Sequence, residues 1–177
     1  MSGLERLRAV LRRSWPLVVL VLATWWMGRG GLSPAAAFQV GGELPELSAE
    51  LADGTRFSWA QAREQVVVLN FWASYCQPCR VEAPLLSAAQ ARDVRVIGLS
   101  VEPRSPELVA AQARDLGMHY PVGVADQALL SRFRVQSVPT TYVIGKNRKI
   151  VLSRVGVLGE RELQEALAAA RAAHGAS

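Results

Sequence analysis

Two cysteines stand three positions apart, and the chain has no others. They form the motif Cys76-Gln-Pro-Cys79. A helix that begins at Cys76 would direct unpaired backbone N–H groups and the positive end of its dipole at the Cys76 sulfur, which stabilises a thiolate. Cys79 would lie one helical turn further on, where it can attack a mixed disulfide between Cys76 and a client protein. The motif therefore predicts thiol–disulfide exchange with Cys76 as the nucleophile.

Other uses of a cysteine pair fit the sequence less well. A structural disulfide that closes so short a loop removes little chain entropy. Zinc needs a second ligand pair, and His119 and His174 are single and far apart. Covalent haem attachment needs a histidine directly after the second cysteine, where this chain has Arg80. We expect no metal and no cofactor beyond the redox-active disulfide itself, and Met118 beside His119 is weak evidence for copper.

The residues around the motif predict the elements that hold it. Residues 66–72 form a continuous apolar run rich in valine, which is typical of a strand covered on both faces. We expect this strand to be the central one. Residues 76–90 suit a helix with Pro78 in its first turn, where a missing N–H costs nothing, and with a kink at Pro84.

Strand-like and helix-like segments alternate through the rest of the body. They are a hairpin at 45–57, a short helix at 58–64, a strand at 94–101, a helix at 105–116, a short strand at 120–125, a short helix at 126–133, a hairpin of strands at 140–144 and 149–155, and a helix at 159–173. This alternation predicts an α/β domain with a central mixed β-sheet flanked by helices.

The stretch Val66-Val-Val-Leu-Asn-Phe-Trp-Ala-Ser-Tyr-Cys-Gln-Pro-Cys-Arg-Val-Glu-Ala-Pro84 resembles the TlpA/ResA-like branch of the thioredoxin superfamily. The resemblance covers about residues 40–172 and includes Val138-Pro139-Thr140. It implies a thioredoxin-like fold and a thiol–disulfide oxidoreductase. A peroxidase of the same fold family would have the pattern Pro-x-x-x-Thr/Ser-x-x-Cys ending at Cys76, and this chain lacks the proline and the Thr/Ser of that pattern.

The resemblance also implies roles for two residues far from the motif in sequence. Pro139 matches the family's cis-proline, whose loop faces the dithiol and offers backbone groups to an extended substrate segment. Val138 would line that contact. An ordinary trans proline at the start of a strand is the alternative.

Glu82 matches an acidic residue that this branch carries just after the CxxC. Three positions from Cys79 on a helix, it shares the face of that cysteine, so it could accept a proton or modulate the thiol pKa. Asn70 stands where typical thioredoxins have a buried aspartate, and Glu82 is the substitute we expect. A solvated surface glutamate is the alternative.

Trp72 and Tyr75 resemble the aromatic residues that flank the motif in this family. Both are candidates for substrate binding. Packing is the more natural role for Trp72, and partial exposure beside Cys76 is expected for Tyr75.

The formal net charge of +5 belongs mainly to the N-terminus. Residues 1–37 carry five arginines and one glutamate, a net of +4, and the remaining fifteen basic and fourteen acidic residues give +1. The body has no basic stripe with interleaved aromatic residues, so we expect no nucleic-acid function.

An uncharged apolar run at residues 15–27 comes after the first arginines, which predicts a cytoplasmic N-terminus and export of the rest of the chain. The run is shorter than the roughly 20 residues of a typical membrane span, and residues 35–37 are alanines that suit signal-peptidase cleavage. A membrane anchor is favoured over a cleaved signal, because Arg29 and a Gly/Pro spacer separate the run from the alanines. The predicted organisation is a cytoplasmic stub with an anchor or signal at 1–27, a linker at 28–42 and a thioredoxin-like domain at 43–177.

The leading hypothesis is an extracytoplasmic reductase of client-protein disulfides, held at the membrane by its N-terminal segment and kept reduced by a membrane thiol-reductant carrier. The resemblance implies this direction, since related proteins serve cytochrome c maturation or copper-centre assembly. A dithiol oxidant or isomerase stays open, because direction depends on redox potential. A copper-binding module that uses the two thiols also stays open.

Overall fold

The structure, a computed structural model, describes residues 40–42, 44–62 and 64–173. Within those residues, no helix combines the length and the apolar character that crossing a membrane requires. The predicted anchor or signal segment at 1–27 and most of the predicted linker lie outside them. Gly41 and Gly42, at the end of that linker, exchange backbone hydrogen bonds with Ile150.

The described elements alternate between strands and helices. In chain order they are β1 (Ser48–Glu50), β2 (Arg56–Ser58), a 3-10 helix (Trp59–Ala62), β3 (Val66–Trp72), α1 (Gln77–Ala89), β4 (Val94–Ser100), α2 (Pro106–Asp115), β5 (Val122–Val124), α3 (Gln127–Arg132), β6 (Thr140–Ile144), β7 (Ile150–Val155) and α4 (Glu160–Ala172).

Five strands form one mixed sheet in the order β5-β4-β3-β6-β7. The strand β3 is central, as predicted: it runs parallel to β4 and antiparallel to β6. The pairs β4–β5 and β6–β7 are parallel and antiparallel respectively, while β1 and β2 form a separate antiparallel hairpin. The predicted α/β architecture with a central mixed sheet is confirmed, and the arrangement of its strands and helices is thioredoxin-like.

Two layers of apolar side chains cover the sheet, one on each face. All seven residues of β3 are buried. Its even-numbered apolar residues pack with α1, α2 and α4, and its odd-numbered residues pack with the β1–β2 hairpin, the 3-10 helix and α3. Asn70 has an even position in β3, so it points toward the helical layer that contains α1. This placement brings an amide to the face on which Glu82 lies.

The ends of the short elements differ from the predicted ones. The hairpin strands contain three residues each, and the helix predicted at 58–64 is a single turn of 3-10 helix. Glu64 has a positive φ of 65°. The chain therefore leaves helical geometry before it enters β3.

Candidate active site

Cys76 and Cys79 are joined by a disulfide, with their Cα atoms 5.3 Å apart. Cys76 is the N-cap of α1, and its Sγ accepts a hydrogen bond of 3.1 Å from the backbone N–H of Cys79. Pro78 occupies the first turn. A sulfur with this partner at a helix N-terminus is well placed to carry negative charge when reduced. Both cysteines are buried, and Cys76, at 4% exposed, is slightly more accessible than Cys79, at 1%.

A short loop, residues 73–75, connects the end of β3 to Cys76. The N–H of Cys76 donates to the carbonyl of Ala73 at 3.1 Å. The N–H of Ser74 donates to Oε2 of Glu102, at 2.5 Å. The loop is thus fixed both to its own start and to the segment after β4.

Glu82 is buried on the face of α1 that also carries Cys79. Its Oε1 accepts hydrogen bonds from Thr141 Oγ1 at 3.2 Å and from the Leu158 N–H at 3.3 Å. Its Oε2 accepts one from Asn70 Nδ2, also at 3.2 Å. Burial raises the pKa of Glu82 to about 7, against the opposing effect of these three hydrogen bonds. The carboxyl can therefore both take and release a proton near neutral pH. The alternative of a solvated surface glutamate is wrong.

Asn70 orients the Glu82 carboxyl and does not take over its role as proton acceptor. Its Nδ2 also donates to Thr141 Oγ1 at 2.9 Å, and Asn70 is the cross-strand partner of Thr141. The amide, the hydroxyl and the carboxyl therefore form one closed network. The network spans β3, β6 and α1.

The bond between Val138 and Pro139 is cis, which confirms that prediction. Thr140 Oγ1 donates to the Ser137 carbonyl at 2.7 Å, and the Gly156 N–H donates to the Pro139 carbonyl at 2.8 Å. These bonds hold the loop on both sides of the proline.

The two aromatic candidates lie in different environments. Trp72 is fully buried, which favours the packing role over contact with a substrate. The side chain of Tyr75 is 70% exposed. It lines an open groove of about 240 Å³, in which apolar side chains predominate. The other lining residues are Val101, Leu130, Val135, Gln136, Ser137 and Val138.

Three contributors to the site were not among the predicted residues. Thr141 had a usable signal, because it is a second threonine directly after Pro139-Thr140 in an otherwise apolar strand. The Leu158 N–H had none, since a backbone group is the same in every residue type. Glu102 is one of many acidic residues, and only the fold brings it to Ser74.

The adjacent residues Met118 and His119 differ in exposure. Met118 is buried and His119 is exposed, so their side chains lie in different environments. Within the described part of the chain, no three His, Cys, Asp or Glu residues are grouped in a way that could hold a metal ion.

A family model described as the AhpC/TSA family matches residues 40–153. The chain belongs to the AhpC/TSA family. The matched residues include β1 to β6, the cysteine pair, Glu82 and Pro139, so the match covers every predicted site residue.

Individual relatives agree with this membership. The chain is 27% identical over 157 residues to the thioredoxin-like protein YneN of Bacillus subtilis, a match that covers 85% of this chain and 92% of YneN. It is 25% identical to the thiol–disulfide oxidoreductase ResA of Geobacillus thermodenitrificans, over 90% of this chain and 94% of ResA. A solved thiol:disulfide interchange protein from Chlorobium tepidum superposes with a TM-score of 0.65 at 25% identity, covering 77% of this chain and 99% of that one.

The predicted resemblance to the TlpA/ResA-like branch is confirmed by these relatives, and with it the enzyme class. This AhpC/TSA-family chain is a thioredoxin-like thiol–disulfide oxidoreductase with a Cys76–Cys79 pair.

Proposed function

We propose that this chain is an extracytoplasmic reductase of client-protein disulfides. The observation that carries the exchange chemistry is the buried Glu82 carboxyl, which lies on the same helix face as Cys79 and has a pKa of about 7. The reducing direction and the extracytoplasmic placement are supported by the resemblance to the TlpA/ResA-like branch and by the arginine-flanked apolar run at residues 15–27. A resolving thiol needs a nearby proton acceptor, and Glu82 can act as one near neutral pH.

The reaction begins with the Cys76 thiolate, which attacks one sulfur of the client disulfide. A new S–S bond forms between Cys76 and the client, and the other client sulfur leaves as a thiolate that takes up a proton. Glu82 then accepts the proton of Cys79, and the Cys79 thiolate attacks Cys76 Sγ. The second client sulfur leaves and is protonated. Two electrons pass from the dithiol to the client. Of the two protons that the client sulfurs take up, one is the Cys79 proton, which Glu82 releases, and the other comes from solvent, which had taken the Cys76 proton when the thiolate formed. The enzyme ends with the Cys76–Cys79 disulfide that the structure contains.

The groove beside the motif fits this role. A client segment that passes over Pro139 would lie against the exposed Tyr75 and against Val138, both of which line the groove. Its apolar side chains would find apolar partners there. The clients that we propose are proteins of cytochrome c maturation or copper-centre assembly, the classes that the resemblance implies.

A Cys79→Ser variant tests the exchange mechanism. Expressed in its native envelope, it should accumulate a mixed disulfide between Cys76 and its client, which non-reducing gels and mass spectrometry would identify. The matched control is Cys76→Ser, which lacks the nucleophile and should form no such adduct. If Cys79→Ser also forms none under mildly oxidising conditions, the mechanism is refuted.

A redox titration tests the direction of electron flow. A reductase requires a potential below that of its compartment and a pair that is mainly dithiol in cells. A potential well above the compartment's, with the pair found oxidised, would instead assign the chain as a dithiol oxidant or isomerase. The copper-binding alternative has no supporting observation in the described residues.

We also propose that the N-terminal apolar segment holds the domain at the outer face of the cytoplasmic membrane, where a membrane thiol-reductant carrier would supply electrons. The arginine-flanked apolar run at residues 15–27 supports this placement. Protease added to intact spheroplasts should digest the domain and leave a membrane-bound N-terminal fragment. Full protection of the domain would contradict export, whereas a soluble, shortened domain would indicate a cleaved signal.

A further inference from the structure

Glu102 occupies a fixed position at the end of β4, beside the end of β3. The N–H of Val101 donates to the carbonyl of Trp72 at 2.9 Å, which continues the β3–β4 pairing past the last paired residues. The N–H of Glu102 donates to Ser100 Oγ at 3.2 Å. The Glu102 side chain is only 12% exposed. Its backbone is therefore held at the end of β4, and its side chain is largely shielded from solvent.

The carboxylate of Glu102 reaches the loop that carries the cysteine motif. Its Oε2 accepts the Ser74 N–H at 2.5 Å, and its Oε1 lies 3.6 Å from Arg104 Nη2. Burial acts to raise the pKa of Glu102, but the Ser74 hydrogen bond and the Arg104 charge outweigh it and hold that pKa below its usual value. The carboxylate is charged at neutral pH, and a hydrogen bond to a charged acceptor is about twice as strong as a neutral one.

The hydrogen bond from the Ser74 N–H to Glu102 affects the position of Tyr75 more than that of Cys76. Cys76 is held independently, by its own N–H bond to Ala73 and by its position as the N-cap of α1. Tyr75, the residue after Ser74, lines the same groove as Val101, the residue before Glu102. The hydrogen bond between Ser74 and Glu102 thus connects the two segments that supply Tyr75 and Val101 to the groove wall.

We propose that Glu102 is a positioning residue for client binding: through the Ser74 N–H it fixes the loop that presents Tyr75 as a wall of the groove. This inference rests on the proposed function, because it assumes that a client polypeptide occupies the groove. It predicts a residue that matters for the binding of a polypeptide substrate and not for thiol chemistry as such.

The test compares two disulfide substrates in the full-length protein. One is a short peptide whose single cysteine, flanked by leucine and valine, is joined to glutathione. The other is hydroxyethyl disulfide, which is too small to use the groove. In Glu102→Ala the peptide must itself order the loop that the hydrogen bond had ordered, so KM for the peptide should rise by up to about tenfold, which corresponds to about 1.4 kcal/mol. The kcat for the peptide, and kcat/KM for hydroxyethyl disulfide, should stay within about twofold of the wild type.

Three matched variants separate positioning from charge. Glu102→Gln keeps an acceptor oxygen for Ser74 and should restore the peptide KM to within about threefold of the wild type. Glu102→Asp keeps the charge but is one methylene short of Ser74, so it should behave like Glu102→Ala, and it serves in place of the alanine variant if that variant does not fold. Arg104→Gln removes only the ion pair and should bind the peptide like the wild type.

Several results would overturn the inference. They are an unchanged peptide KM in both Glu102→Ala and Glu102→Asp, an equal loss for both substrates, and a loss in Glu102→Gln as large as that in Glu102→Ala. If the wild type itself reduces neither substrate, the proposed reductase function fails instead, so the two failures are distinguishable.

Discussion

Glu82 should make the stability of the oxidised protein depend on pH in a direction opposite to that of most carboxyl groups. Its pKa is raised to about 7 by burial, from an ordinary value of 4.5. The perturbation that isolates this effect is Glu82→Gln. Glutamine has nearly the same shape and stays neutral at every pH used, so it removes the titration with little change in packing.

The sign depends on the protonation of the folded and unfolded chains. Below about pH 4.5 the carboxyl is protonated in both, and there is no penalty. As the pH rises toward 7, the unfolded chain releases its proton while the folded chain keeps it, so the free energy of unfolding falls. Above pH 7 both are ionised and the loss is complete. The gap between the two pKa values corresponds to about 3 kcal/mol.

Urea unfolding of both proteins with the disulfide intact, at intervals from pH 4.5 to pH 8, measures the effect. The stability of Glu82→Gln relative to the wild type should increase by about 3 kcal/mol across this range, and the use of a difference cancels the titration of other groups. Glu102→Gln is the matched control. Because the pKa of Glu102 is lowered, its difference from the wild type should be flat above pH 5. A constant Glu82→Gln difference, or one that decreases with pH, would refute the reasoning.

Three further substitutions test other contacts. Thr141→Val removes a hydrogen bond that favours the charged form of Glu82, so the midpoint of the same pH titration should move to higher pH; a midpoint that stays or falls contradicts this. Gly98→Ala places a Cβ 2.9 Å from the ring of the buried Tyr120 and should cost about 1–3 kcal/mol in urea unfolding, whereas an unchanged unfolding midpoint would show that the space is present. Asp126→Ala removes the 2.6 Å N-cap bond of α3 and should cost about 1 kcal/mol, while the asparagine variant, which can still cap, should cost less.

The elements that hold the cysteines could be predicted because their sequence signals are local. An unbroken apolar run is expected of a strand buried on both faces, and β3 has the predicted bounds. Pro78 in the first turn placed the start of α1 within one residue. The same local signals place Glu82 on the helix face of Cys79, since three positions are close to one turn.

The partners of Glu82 could be predicted only in part. Asn70 and Thr141 are opposite each other in an antiparallel pair, but their contact depends on a register that joins residues 71 positions apart. The Leu158 N–H comes from the segment after β7, whose path is set by tertiary packing. Burial depth, which decides the direction of the Glu82 pKa, is likewise a property of the assembled layers and not of the motif.

Asn70 stands where typical thioredoxins have a buried aspartate, and this difference changes what the site can do. A carboxylate at position 70 would face Glu82 as a second negative charge in a buried space, and one of the two would have to stay protonated. An amide donates to Glu82 instead, and it does so together with Thr141 and Leu158. These donors favour the ionised form while burial favours the neutral one, and their balance leaves both forms populated near pH 7. A group in that state can accept the Cys79 proton when the disulfide forms and return it when the dithiol is regenerated. Proton transfer by Glu82 thus serves both halves of the cycle, and the redox potential of the cysteine pair sets the net direction of electron flow.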